Sequence, residues 1–291
     1  MSVAIGAIQG TLTMAAPLLL ASLGETVLQR SGVVNVGIEG MILTGALAAV
    51  LGSQYTHSAM AGIGTAAIAG ILVAVVFLVF AIRLAANQVV VGVVINLMAL
   101  GITGTVSRAV FGNQHTFVTV PGLPHLIANQ SILSILAIVA VPLVSYWIYH
   151  TRAGLELRAV GEQPSAAAAS GSDVIRIRSL AAIACGAMAG IAGACITVGD
   201  VPTFQENMSG GRGFIALAIV TSGRWNPYGC LAAALIFGAA EELEIQGQAM
   251  GLHLPHDILL ALPYVVTLVI LAAGARSGKS PASLGLPYRK S

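Results

Sequence analysis

Between Glu39 and Arg152 the chain runs for more than a hundred residues with only two formal charges, Arg83 and Arg108. A water-soluble domain carries charge on about 25% of its residues; here the whole chain carries it on 8%, against 57% hydrophobic. No hydrated surface can be built from such a stretch, so its residues must face lipid or one another. The same poverty of charge excludes a nucleic-acid binder, which needs Lys and Arg clustered across a face to neutralise phosphates. The three cysteines, Cys185, Cys195 and Cys230, are odd in number, widely spaced and set in Ala/Gly-rich apolar runs. That pattern excludes a disulfide scaffold and predicts buried packing residues.

Crossing a hydrocarbon core of about 30 Å takes roughly 20 helical residues. Seven apolar runs have about that length, over 4–23, 33–51, 60–82, 89–112, 131–149, 179–199 and 258–274. An eighth region, 213–240, is apolar but interrupted by Ser222-Gly223-Arg224-Trp225-Asn226-Pro227. It fits either a re-entrant pair of half-helices or two short tilted crossings, and a break at membrane depth is tolerated only where protein or water satisfies the freed backbone. The predicted fold is therefore all-α: a polytopic integral membrane helical bundle of about eight or nine transmembrane segments, broken or re-entrant near 213–240. The first run lacks a basic flank and leads straight into another apolar stretch, which predicts a true helix rather than a cleaved signal. The organisation expected is one transmembrane domain over 1–275, with a polar inner loop at 150–178, and a cytoplasmic tail over 276–291.

The basic residues orient this bundle. With the N-terminus outside and the C-terminus cytoplasmic, eleven of the thirteen Lys and Arg fall on inner segments, leaving Arg108 and Arg212 near the outer side. Glu206 and Glu241 are among the acids then placed outside.

Within the apolar sequence, Glu39 is the most unusual residue, because an ionised carboxylate at membrane depth costs several kcal/mol unless paired, hydrated or protonated. Ser31, Asn35 and Glu39 are spaced i, i+4, i+8 and would line one face of a helix, pointing inward. Such a stripe suits a substrate pathway. Equally, Glu39 could be a structural anchor that caps a neighbouring broken helix or pairs with an arginine. The fourth run repeats the theme more mildly, with Asn96, Thr103 and Ser107 on one side and Asn87-Gln88 at its inner end. Along the sixth run, Ala182, Gly186, Gly190 and Ala194 recur every four residues, a small-residue stripe that lets another backbone approach closely.

The loop 151–179 is too polar to span. Pro164 suits a first helical turn, Ser165 to Ala169 favour helix, and Gly171 stops it, which predicts a brief surface helix used for docking. Gly274 to Ser280 falls short of a phosphate-binding loop, because the first glycine is one residue too close, no strand precedes it and Pro281 follows where a helix should start. No catalytic nucleophile, metal-ligand cluster or cofactor motif is legible: His253 and His256 flank a proline in an outer loop, and Asn129-Gln130-Ser131 and Asn207-Met208-Ser209 match a glycosylation pattern only formally.

Three blocks are similar to one known family, the permease subunits of ABC importers for simple sugars, nucleosides and branched-chain amino acids. They are Arg30 to Gly40 (RSGVVNVGIEG), Leu157 to Pro164 (LRAVGEQP), and Gly211 to Ala218 (GRGFIALA) with Gly223 to Pro227 (GRWNP). The first block and the Gly-Arg-Trp-Asn-Pro block look most like the nucleoside and simple-sugar branch. The resemblance implies that Arg158, Gly161, Glu162, Gln163 and Pro164 dock on an ATPase. It also implies three protein partners: an ATP-binding subunit, a second permease chain in a homo- or heterodimer, and an extracytoplasmic solute-binding protein. The setting implied is a bacterial-type inner membrane, with the lipid bilayer itself as partner. Ser170 to Asp173 depart from the family, whose members usually carry a more apolar Gly-Ile or Gly-Val there. The chain itself is expected not to be an enzyme, ATP being hydrolysed on the separate subunit. A proton-coupled secondary carrier using Glu39 as relay is the alternative.

Overall fold

In lipid, a helix is the simplest segment that satisfies every backbone N–H and C=O within itself, and the apolar runs among the described residues accordingly become helices. The computed structural model describes residues 2–112, 120–127, 130–249, 265 and 280–289. In chain order they form α1 (Ser2–Arg30), α2 (Ile38–Thr56), α3 (Ala59–Phe77), α4 (Gln88–Phe111), α5 (Ile132–His150), α6 (Arg152–Glu162), α7 (Pro164–Ala169), α8 (Val174–Ala194), α9 (Arg212–Ser222) and α10 (Pro227–Ala249). Wider π-type turns extend α3 through Leu78–Arg83 and α8 through Cys195–Asp200. A two-stranded antiparallel ribbon, β1 (His125–Ile127) with β2 (Gln130–Ser131), precedes α5. Five helical spans among the described residues are long and apolar enough to cross a membrane: Ile5–Arg30, Ala59–Arg83, Gln88–Phe111, Ile132–His150 and Val174–Asp200. The apolar run 258–274, the histidines at 253 and 256, Asn129 and the tail residues 276–279 lie outside the described residues.

The centre of the bundle is α1, buried from Ala15 to Gln29 and packed on α5, α8, α9 and α10. A second layer packs α2, α3 and α8 together. Its cohesion comes from the small-residue stripe, because without a hydrophobic force between helices in lipid, close backbone approach supplies the attraction. Gly190 lies against the Ala66 carbonyl and the Cα of Gly70, Gly186 against the Gly70 carbonyl and Ala74, and Gly193 against the Ile42 carbonyl. The three cysteines are free and buried.

Two segments differ from the sequence expectation. The second helix begins at Ile38 rather than near 33, so Ser31 and Asn35 stand outside it and the i, i+4, i+8 stripe is not helical. Gly32 takes a left-handed turn at φ +89°, and in the irregular stretch that follows the Val34 and Asn35 N–H groups bond Gln88 and Glu25 of other elements while the Gly37 N–H bonds the Asn35 side chain. The inner loop holds two helices rather than one. Besides the expected α7, opened by Pro164 and followed by Gly171 at φ +96°, Thr151 caps an amphipathic α6 by accepting from the Gly154 N–H at 3.1 Å.

The broken region resolves into unequal halves. At 1.5 Å per residue the 11 residues of α9 span about 16 Å, half a bilayer core, and the 23 residues of α10 about 34 Å. Between them Arg224 and Trp225 both adopt left-handed φ, 59° and 54°, in a turn closed by the Trp225 N–H to the Val220 carbonyl at 3.0 Å.

The packing account makes a paired prediction. Gly190→Ala should destabilise the detergent-solubilised protein by about 1–3 kcal/mol through overpacking. Gly64→Ala, whose added methyl meets open space, should be neutral or stabilising by up to about 1 kcal/mol. Thermal unfolding of both variants checks it, and equal melting temperatures would remove the close-approach argument.

Candidate functional site

The first N–H groups of a helix have no intrahelical partner, and those of α9 find one in another element. Its N-terminus is held by Glu39, from the first turn of α2. One carboxylate oxygen accepts from the Ser209 hydroxyl at 2.6 Å and the Gly211 N–H at 2.8 Å, and the other from the Gly213 N–H at 2.6 Å. A carboxylate suits this position because the helix dipole leaves partial positive charge at the N-terminus. Gly213 is required by the close approach: a Cβ there would strike the Glu39 backbone. Of the two roles open to Glu39 from sequence, its geometry is that of a cap on a broken helix.

The same carboxylate borders a cavity of about 580 Å³ between α2, α4 and the segment Asn207–Phe214. Asn96, Asn207 and the Gly210–Gly211 backbone supply its polar wall, and Leu43, Val93, Leu97, Leu100 and Phe214 its apolar wall. The volume and the mixture match a small-molecule site, mostly apolar with a few convergent polar groups. Asn96 also fixes the start of α2, accepting from the Gly40 N–H at 2.8 Å and donating to the Val36 carbonyl at 2.9 Å.

The remaining residues expected along a pathway lie away from this cavity. Ser31 is fully buried and donates to the Leu28 carbonyl, and Thr103 donates to the Ala99 carbonyl inside α4. Asn35, also fully buried, accepts from the Gly37 N–H. Its own N–H bonds Glu25, which further accepts from Gln29 and from the Cys185 thiol. Through the Trp225 indole N–H on Gln29 at 2.6 Å this network joins α1, α8 and the α9–α10 turn.

Of the residues expected to dock, Glu162 and Gln163 are exposed at the end of α6, and Pro164 opens α7. Gly161 is buried, with the Arg30 carbonyl and the Gly32 N–H against its Cα. The Arg158 guanidinium stacks on the Tyr149 ring at 5.3 Å, and Arg30 approaches the same ring at 5.8 Å and donates to the Tyr149 hydroxyl. The two basic residues expected outside each pair with an acid: Arg108 with Glu206 at 2.9 Å and Arg212 with Glu241 at 3.5 Å. No group of His, Cys, Asp and Glu among the described residues could hold a metal.

Sequence reasoning gave Asn207 only a formal glycosylation match, Gln88 only a place at the inner end of the fourth run, and Phe214 and Arg178 no role of their own. Phe214 sits within the Gly-Arg-Gly-Phe block and was within reach. Gln88, whose side chain accepts from the Val34 N–H at 2.8 Å, carried no signal beyond being polar at a helix start.

A family model described as branched-chain amino acid transport system / permease component matches residues 7–271. The chain is similar to the guanosine ABC transporter permease protein of Bacillus subtilis, at 34% identity over 97% of this chain and 96% of that protein. It is 32% identical to a nucleoside ABC transporter permease protein of Lactococcus lactis over 94% of each. It is 35% identical to a candidate glucose ABC transporter permease protein of Haloferax volcanii, over 90% of this chain and 83% of that one.

The capping geometry predicts that Glu39→Gln, which turns an amide toward donors that need an acceptor, costs about 1.5–3 kcal/mol. Thermal unfolding in detergent measures it; a variant as stable as the parent would remove the capping role.

Proposed function

We propose a function from one premise: this chain belongs to the family of branched-chain amino acid transport system permease components. It is the membrane-spanning permease subunit of an ABC importer and not itself the enzyme. Its substrates are nucleosides or simple sugars, the classes that the relatives' names carry, with nucleosides favoured by the aromatic face of Phe214, half exposed at the cavity. A base stacks on such a ring while the amides of Asn96 and Asn207 bond its edges or the ribose hydroxyls.

One observation carries the reading: the cavity's polar wall opens on the face of α4 that this chain leaves bare, where Val93, Leu97 and Leu100 are exposed. Amides facing hydrocarbon are costly, whereas amides lining a water-filled path are not. A second permease chain against α4 turns the half-open cavity into such a path. Transport then proceeds by alternating access, two packings of the bundle exposing the cavity to one side at a time.

The energy enters through α6 and α7. Glu162 and Gln163 stand exposed there for an ATP-binding subunit, and Arg158, Gly161 and Pro164 set the pose of the element. The same end of the bundle gathers Arg83, Arg158, Arg176 and Arg178, which supports a cytoplasmic assignment for it, with the N-terminus of α1 outside and the C-terminus inside. Opposite, the edges that carry the Arg108–Glu206 and Arg212–Glu241 pairs receive the extracytoplasmic binding protein. The plasma membrane of a bacterial-type cell is the location that fits.

Two predictions follow from the cavity and the docking element. In proteoliposomes holding the full transporter, Phe214→Ala should raise the half-saturating guanosine concentration about tenfold, the scale of one lost stacking contact of about 1–3 kcal/mol, while assembly persists. Gln163→Trp should leave ATP hydrolysis running and cut uptake at least several-fold. Uptake that persists without ATP and follows a pH gradient would instead identify a proton-coupled carrier.

A further inference from the structure

We infer that residues 281–286 form a strap that transmits the movement of docking helix α6 to the corner at 30–34, and that Arg178 is the residue that positions it. This rests on the importer reading above. On the α6 side, the Ser283 N–H and hydroxyl both donate to the Gly161 carbonyl, at 3.0 and 2.6 Å, and the Ala282 N–H donates to Glu162 at 3.3 Å. On the other side, the Gly285 N–H donates to the Gly32 carbonyl at 3.0 Å. The strap therefore bonds the docking helix and the irregular corner at once.

Arg178, near the start of α8, bonds both the strap and the corner. Its guanidinium donates to the Ser31 carbonyl at 3.0 Å, the Leu286 carbonyl at 3.2 Å and the Ser283 hydroxyl at 3.2 Å. It is 2% exposed and makes no ion pair among the described residues. A buried cation held only by neutral acceptors is costly unless the acceptors match its donors in direction. The planar fork of arginine supplies several donors in fixed directions, which the point charge of lysine does not.

The corner leads inward. The Val34 N–H is bonded to Gln88 of α4, Asn96 bridges Val36 to Gly40, and Glu39 one residue earlier caps α9 beside the cavity. Gly161 also meets the Arg30 carbonyl directly, with no side chain between. Displacement of α6 by the ATPase thus pulls the corner through two routes, backbone contact and strap. Both routes end on the helices that form the cavity.

The test uses the complete transporter with its ATPase and binding protein in proteoliposomes, reading radiolabelled guanosine imported per ATP hydrolysed. Arg178→Gln should lower that ratio at least fivefold with ATPase activity within twofold of the parent. Arg178→Lys should recover part of the loss, and Ser283→Ala should lower the ratio at least twofold. An unchanged ratio in Ser283→Ala and Arg178→Gln overturns the strap, as does a parallel loss of ATPase and uptake in assembled complexes. If Arg178→Gln fails to assemble, Ser283→Ala and a chain ending at Lys279 decide by the same ratio. A parent complex without ATP-driven guanosine uptake overturns the transport reading itself, an outcome visible before any variant is compared.

Discussion

Every backbone polar group at membrane depth must find a partner within the protein, since hydrocarbon offers none. Most of this chain meets that demand with continuous helices. Among the described residues, 31–37 and 201–211 do not, and the architecture is arranged around satisfying them. Glu39 joins the two, standing in the first turn of the helix that follows one and accepting from the backbone N–H groups that close the other. Without an acceptor there, α9 could not begin where it does, and the cavity beside it would lose the Gly210–Gly211 wall.

The partners of these irregular segments are polar side chains drawn from distant parts of the sequence: Gln88 and Asn96 from α4, Glu25 from α1, Arg178 from α8. This explains what was legible in the sequence. Helix positions were, because lipid imposes length and hydropathy locally on each run. The oddness of Glu39 was also visible, but not its partner 170 residues away. Ser31, Asn35 and Glu39 have helical spacing, yet a turn at Gly32 and bonds to non-local partners override it, so periodicity alone misplaced the start of α2. The strap was the least legible part: Ser283 and Gly285 are ordinary residues in an ordinary tail, and their meaning depends on the Gly161 and Gly32 carbonyls they meet.

The interhelical contacts divide by strength in a way that suits a machine with moving parts. The α2–α3–α8 layer is held by glycine approaches in which backbone touches backbone, contacts that tolerate almost no displacement before atoms collide. The junction of that layer with the strap is made by hydrogen bonds from Arg178, and a side-chain bond between helices in a membrane contributes roughly 0.6 kcal/mol on average. Bonds of that size can be exchanged for others of the same kind, whereas a glycine contact cannot. The natural division is a rigid layer of α2, α3 and α8 against which α6 and the strap move, with the Arg178 fork at the boundary.

That boundary also explains why a buried arginine is found where an apolar residue would be the cheaper choice. Replacing a buried charge by well-packed hydrophobic residues is often neutral or stabilising, so stability alone does not call for Arg178. Its three acceptors belong to two separate stretches of chain, Ser31 in the corner and Ser283 and Leu286 in the strap, and an apolar side chain could fill the space but not hold the two in register. Register is what a device needs if it is to convert the displacement of a surface helix into movement at a cavity several turns away. The cost of burying the charge is therefore the cost of keeping the tail and the corner at 30–34 in one fixed relation.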